Sequence, residues 1–137
     1  MKSNTLKLFA SAFFAIVLVA CTKHAGDEEA ETTPTATLAF SSPTEGASYQ
    51  FGDSVLIQGV AAAAQEMHGY EVSVRNAADT SVVYYKEHIH EHGSTLAINQ
   101  KWKDTLTTAV QLQAQVTLIL DHDGHTTTKS VRFNTSN

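Results

Sequence analysis

Histidine is the residue type in this chain whose number and spacing point most clearly to chemistry. Of the seven histidines, three alternate along one stretch, at His88, His90 and His92. Alternate side chains of a β-strand share a face, with Cα atoms about 6.5 Å apart, so His88 and His90 can converge on one ion and His92 extends the row. Neutral imidazoles bind zinc, copper and nickel, and three or four nitrogens suffice. The spacing therefore predicts a transition-metal site.

The elements that must position these histidines are short β-strands separated by turn signals. Gln111 to Leu120 has the clearest period of two, and the Asp-Gly that follows at Asp123-Gly124 is typical of a hairpin turn. Ala61 to Gln65 could form a single helical turn. About seven strands are predicted in all, which are Thr37–Phe40, Ser54–Val60, Gly69–Arg75, Thr80–His90, Thr95–Ile98, Gln111–Leu120 and His125–Phe133. Their number and spacing predict an all-β, immunoglobulin-like antiparallel sandwich.

The order of the strands places six histidines at one end of this sandwich. Successive strands run in opposite directions, so alternate connections share a pole, and the second, fourth and sixth connections carry the histidines. Mutual repulsion in such a cluster is expected to hold histidine pKa values below about 6.5. The predicted metal ligands, in order of preference, are His88, His90, His68, His122, His92 and His125, with Asp121 and Asp123 as ligands or as acceptors that orient the imidazoles.

Histidine is also a common polar residue of loops, and three on the solvent face of an edge strand do not require a metal. The sequence has no His-Glu-x-x-His motif, no cysteine-assisted zinc motif and no Gly-x-Ser-x-Gly elbow. No pair of carboxylates is marked out as acid and base. We therefore predict a non-enzymatic binding protein. Two alternatives stay open, namely adventitious metal binding and an adhesion or assembly module that binds protein or glycan with no metal role.

The first 21 residues indicate where the chain is sent. A basic start precedes an apolar run from Leu8 to Ala20, which is shorter than the roughly 20 residues of a membrane span and is typical of a cleaved secretory signal. The segment Leu18-Val19-Ala20-Cys21 resembles the lipobox of bacterial lipoproteins, which have a type II signal peptide. The resemblance implies cleavage before Cys21 and lipid on that residue, which would anchor the mature chain to a membrane.

Three regions are predicted along the chain. Residues 1–20 are the signal peptide, residues 21–35 are the lipidated cysteine with an acidic, flexible tether, and residues 36–137 are the sandwich domain. The acids of the tether are similar to those that send lipoproteins of Bacteroidota to the cell surface. We expect a place on the outer membrane, either at its periplasmic face or on the cell surface. Acidic side chains outnumber basic ones by 14 to 9, so nucleic acid is not an expected partner.

Three segments of the folded part carry a further resemblance. They are Met67-His68-Gly69-Tyr70-Glu71-Val72, Lys101-Trp102, and Asp121-His122-Asp123-Gly124 before Thr126-Thr127-Thr128-Lys129. From about Thr37 to the C-terminus, the chain resembles the immunoglobulin-like lipoproteins of Bacteroidota. This resemblance implies the same sandwich fold and brings no activity with it.

Overall fold

The computed structural model describes residues 33–137, so the predicted signal peptide, Cys21 and most of the tether lie outside the described residues. None of the described elements is a helix of the length and hydropathy needed to cross a bilayer. Residues 33–137 form eight strands: β1 (Ala36–Ser42), β2 (Ser48–Gln50), β3 (Ser54–Met67), β4 (Tyr70–Asn76), β5 (Val83–Ile89), β6 (Gly93–Lys103), β7 (Val110–Ile119) and β8 (Thr126–Ser136).

The strands form two sheets whose inner faces share one core. One sheet has the order β1-β3-β6 and the other the order β2-β8-β7-β4-β5. Neighbouring strands are antiparallel except for β2, which runs parallel to the end of β8. The predicted all-β, immunoglobulin-like sandwich is therefore confirmed, and the structure adds the three-residue strand β2 to the seven strands predicted.

The core follows from the alternation of side chains along the strands. In β7, every second residue from Leu112 to Leu118 is buried, while the residues between them are only partly buried. Phe133 of β8 is fully buried, and its ring centroid lies 5.6 Å from that of Tyr49 and 6.5 Å from that of Trp102. This packing holds the two sheets together and fixes the ends of the strands, where the connections begin.

The end of β3 differs from the prediction. The strand continues to Met67, so the single helical turn over Ala61–Gln65 is wrong. The run of alanines supplies little contrast between the two faces of a strand, and the period of two is therefore hard to detect there. Ala62 pairs with Thr95 and Met67 with Gly93, so β3 takes five steps where β6 takes two. Such a β-bulge bends a strand and changes the direction of its side chains.

Candidate metal centre

Three connections bring four histidine rings together at one end of the sandwich. His68, between β3 and β4, has its ring centroid 3.9 Å from that of His122 in the β7–β8 connection. His92, between β5 and β6, lies 4.8 Å from His68 and 4.7 Å from His90 by the same measure. The predicted meeting of the histidine-bearing connections at one pole is confirmed for these four residues, which we call the histidine cluster.

One carboxylate lies at the edge of the histidine cluster. Ligand atoms of Glu66, His68 and His92 all lie within 4.8 Å of one another, so these three side chains are positioned to hold a metal ion. Glu66 belongs to the bulged stretch at the end of β3 and was missed by the sequence prediction. The sequence does contain a signal for this position. If the alternation of faces in β3 is continued past the alanines, Met67 faces the core and Glu66 faces solvent.

His92 makes a polar contact through each of its ring nitrogens. Its Nδ1 lies 3.1 Å from Oε1 of Glu66, and its Nε2 lies 3.1 Å from Nε2 of His90. An ionised carboxylate can only accept a hydrogen bond, so Nδ1 of His92 is the donor to Glu66. The side chains of His92 and Glu66 are 41% and 63% exposed, so an ion in solution can reach them.

Gly69 allows the connections that carry His68 and His90 to approach each other. Its φ is +116°, and a Cβ on this residue would lie 2.1 Å from the carbonyl oxygen of Ile89 and 3.2 Å from the Cα of His90. Only glycine adopts this backbone conformation readily and leaves room for such an approach. Because Gly69 directly follows His68, this contact sets the distance between two members of the histidine cluster.

His68 is the most enclosed member of the cluster. It is partly buried, whereas the other three members are exposed, and its Nδ1 is a buried atom with no hydrogen-bond partner. Burial lowers the pKa of His68 from its ordinary value of 6.5, and the neighbouring His122 and His92 lower it further, against the opposing effect of Glu66 and Asp121. The direction agrees with the one expected from the sequence, but its main cause is burial and not repulsion between the histidines. A low pKa favours the neutral ring, which is the form that binds metals.

Stability is expected to fall as the pH drops below about 6.5, because the unfolded chain protonates His68 at its ordinary pKa and the folded chain only at lower pH. The loss ends once the pH passes the folded-state pKa. Thermal denaturation from pH 7.5 to pH 5, with NMR titration of the histidine ring protons, checks this. A His68→Gln variant should show a weaker dependence in this window. A His68 midpoint at or above 6.5 would contradict the expectation.

The Asp121 carboxylate organises the β7–β8 connection. Its Oδ1 accepts hydrogen bonds from the backbone N–H groups of Asp123 and His125, each at 3.0 Å, and its Oδ2 lies 2.5 Å from Nδ1 of His125. Burial opposes ionisation of Asp121, but the hydrogen bonds from His125 and Asp123 outweigh it and hold the pKa of Asp121 below its ordinary value. Asp121 thus orients His125, and the roles of His125 and Asp123 as metal ligands stay predictions.

His88 lies away from the closest group of ligand atoms. It pairs in register with Glu71 of β4, and Glu71 forms an ion pair with Lys86 at 2.9 Å. Because the next residue, Ile89, packs against the core, His88 faces the opposite side of the sheet. Within residues 33–137, the group whose ligand atoms lie within 4.8 Å of one another does not include His88, and its place as first ligand stays a prediction.

Comparisons with known proteins assign this chain to no family. No family model matches it. No curated protein matches it either. Among solved structures, the fibronectin(III)-like modules of Clostridium thermocellum CbhA are similar, with 17% sequence identity, coverage of 73% of this chain and 96% of theirs, and a TM-score of 0.44. At this level of similarity no ligand or activity is transferred to this chain, and its immunoglobulin-like fold is described by its own strands and sheets.

Proposed function

We propose that this chain is a lipid-anchored, non-enzymatic binding protein of the bacterial cell envelope whose histidine cluster binds a transition-metal ion. The observation that carries the proposal is the approach of ligand atoms from Glu66, His68 and His92 to within 4.8 Å of one another. The rings of His90 and His122, in contact with this group, supply further nitrogens. Imidazole donors suit zinc, copper and nickel.

The exposure of the cluster favours capture, buffering or handover of the ion over a purely structural role. Structural zinc sites are closed by four protein ligands. Here His90, His92 and His122 are exposed, and only His68 is partly enclosed. An ion on this pole can therefore be reached by water or by a ligand from another molecule, as exchange requires.

Calorimetric titration of Zn²⁺, Cu²⁺ and Ni²⁺ into the full chain, purified in detergent without an affinity tag, tests the proposal. We expect sub-micromolar binding of one ion per chain. The His90→Ala/His92→Ala variant should bind roughly 100-fold more weakly or worse, since even a partner that only orients a ligand is worth about 10- to 100-fold in affinity.

A matched control is the His88→Ala/His125→Ala variant, which also removes two of the histidines that the sequence predicts at this pole. Its affinity should equal that of the wild type, because neither residue belongs to the histidine cluster. An equal loss in both double variants would point to the wider ligand set that the sequence predicts. Millimolar binding of uneven stoichiometry, unchanged in both variants, would refute a metal role.

The anchor is proposed from the lipobox, and Cys21 lies outside the described residues. Two or more acyl chains hold a protein firmly to a membrane, whereas one chain holds it only marginally. A Cys21→Ser variant should therefore leave the membrane fraction, and mass spectrometry should find lipid on the N-terminal peptide of the wild type only. A wild-type chain that is cleaved and soluble would exclude the anchor.

A second candidate function is adhesion or assembly through a sheet face. The outer side of the β1-β3-β6 sheet exposes Leu56 and Val60, which are 41% and 53% accessible. Val60 pairs with Ala39 on one side and Ala97 on the other, and both alanines are exposed. We propose that an envelope protein or glycan could bind to this apolar strip. A cognate partner whose binding survives His90→Ala/His92→Ala but is lost in Val60→Lys would favour this function.

A further inference from the structure

We infer that Glu66 is not a ligand of the bound ion but the acceptor that orients His92, and that the side chains holding the ion are imidazoles, as suits a divalent ion of the zinc class. This inference rests on the proposed function and assigns the ligands of the same site. Of the three residues whose ligand atoms lie closest together, His68 and His92 bind the ion, and the carboxylate of Glu66 positions the ring of His92.

The first step concerns the two nitrogens of His92. The nitrogens of an imidazole point away from opposite sides of the ring, so one ion can be bound through only one of them. The nitrogen that binds is set by the hydrogen bond that the other nitrogen makes. Nδ1 of His92 faces Glu66 Oε1 at 3.1 Å, and this contact keeps the proton of the neutral ring on Nδ1. Nε2 of His92 is therefore the nitrogen left for the ion.

The second step concerns the place to which this Nε2 points. It lies 3.1 Å from Nε2 of His90. Two nitrogens bound to one tetrahedral zinc ion at about 2.0–2.1 Å lie about 3.3 Å apart. In the free protein one of these two nitrogens carries a proton and donates a hydrogen bond to the other. An ion between them takes the place of that proton, which moves to the second nitrogen of the same ring or to solvent.

The third step is the remaining coordination. The ring of His68 contacts that of His92, and Nδ1 of His68 is buried without a hydrogen-bond partner. A buried imidazole nitrogen without a hydrogen-bond partner is a polar atom that an ion would satisfy, once the ring is in the tautomer that leaves this nitrogen unprotonated. His122, whose ring lies 3.9 Å from that of His68, can supply a fourth nitrogen or leave that position to solvent. The group of ligand atoms within 4.8 Å of one another includes His68 and His92 but neither His90 nor His122, so the exposed rings of these two histidines turn toward the ion when it binds. Glu66 stays outside the coordination sphere, like the carboxylate of the carboxylate–histidine–zinc arrangement.

Titration of the full chain with Co²⁺, followed by its visible d–d bands, and competition with Zn²⁺ test this assignment. Glu66→Gln keeps a carbonyl oxygen that accepts the His92 proton, so its affinity should stay close to that of the wild type. Glu66→Ala has no acceptor and should bind about 10- to 100-fold more weakly. Both variants should keep the band shape of the wild type, because the nitrogen ligands are unchanged.

Glu91→Ala is the matched control, since it removes an exposed acid that lies between His90 and His92 in the sequence. The metal affinity of this variant should equal that of the wild type. A loss of affinity equal to that of Glu66→Ala would mean that Glu66 acts only through its negative charge, and would overturn the inference. An altered band shape in Glu66→Gln would make Glu66 a ligand. Wild-type affinity in Glu66→Ala would leave Glu66 without a role. Absence of Co²⁺ and Zn²⁺ binding by the wild type would instead refute the proposed function itself.

Discussion

Replacing Gly69 by alanine is expected to lower the free energy of unfolding by about 3 kcal/mol and to weaken metal binding at the same time. The backbone conformation of Gly69, at φ +116°, costs a residue with a Cβ about 1–3 kcal/mol. The new Cβ would also meet the carbonyl oxygen of Ile89 at 2.1 Å, so the backbone has to move. That movement separates His68 from His90. Chemical denaturation and metal titration of the same variant measure both effects.

Gly124→Ala is the control for the backbone conformation alone. Gly124 has φ +91° and lies in the β7–β8 connection at the same pole, but a Cβ there would meet nothing within 4 Å. We expect a loss of about 1 kcal/mol and no change in metal affinity. Equal losses of stability in the two variants would mean that the close approach to Ile89 relaxes at no cost, and would contradict its role in setting the cluster.

A saturating metal ion is expected to raise the Tm of the domain by about 10 to 20 °C. An ion that binds only the folded state adds about 2.7 kcal/mol at a free concentration of 100 times Kd. In a domain of this size, each kcal/mol shifts Tm by about 4–8 °C. His68 and His92 lie in two connections that each join one sheet to the other, so an ion bound to both residues also links these connections.

Thermal denaturation with and without Zn²⁺ measures the rise, and His90→Ala/His92→Ala provides the comparison. This variant should keep its metal-free Tm, since both side chains are exposed, and should lose most of the increase caused by Zn²⁺. A rise that is equal in the variant and the wild type would place the stabilising ion elsewhere on the chain.

The strands that were predicted most accurately are those with strong contrast between their faces. In β7, apolar residues from Leu112 to Leu118 alternate with glutamine and threonine, and the predicted strand agrees with the observed one to within a residue at each end. In β3 the alanine run hides the alternation, and the strand was predicted to end at Val60, seven residues too early. The three-residue β2 depends on pairing with β8, a distant contact that no local pattern encodes.

The candidate site was predicted in its place but not in its composition. The alternation of strand directions was enough to bring His68, His92 and His122 to one pole. The period of two indicates which face of β3 carries Glu66 but not its distance from His92, because the bulge in this stretch arises from the pairing of β3 with β6. His88 and His90 are two residues apart, and the strand pattern therefore predicts that they share a face. However, β5 ends at Ile89, so His90 lies beyond the strand and contacts His92, whereas His88 is still part of the sheet.

The register of β1 determines at which pole the polypeptide enters the domain. Ala36, the first residue of β1, pairs with Ala63, which is four residues before the end of β3 and therefore near the histidine cluster. The C-terminal end of β8 lies at the other pole, beside β2. The polypeptide thus enters the domain on the side of the histidine cluster. If Cys21 carries lipid, the 15 residues from Cys21 to Ala36 limit the distance between the lipid and the start of β1 to about 50 Å. A fluorophore or a surface-attachment handle on Asn137 would leave the cluster free, whereas a fusion placed directly before β1 would crowd it.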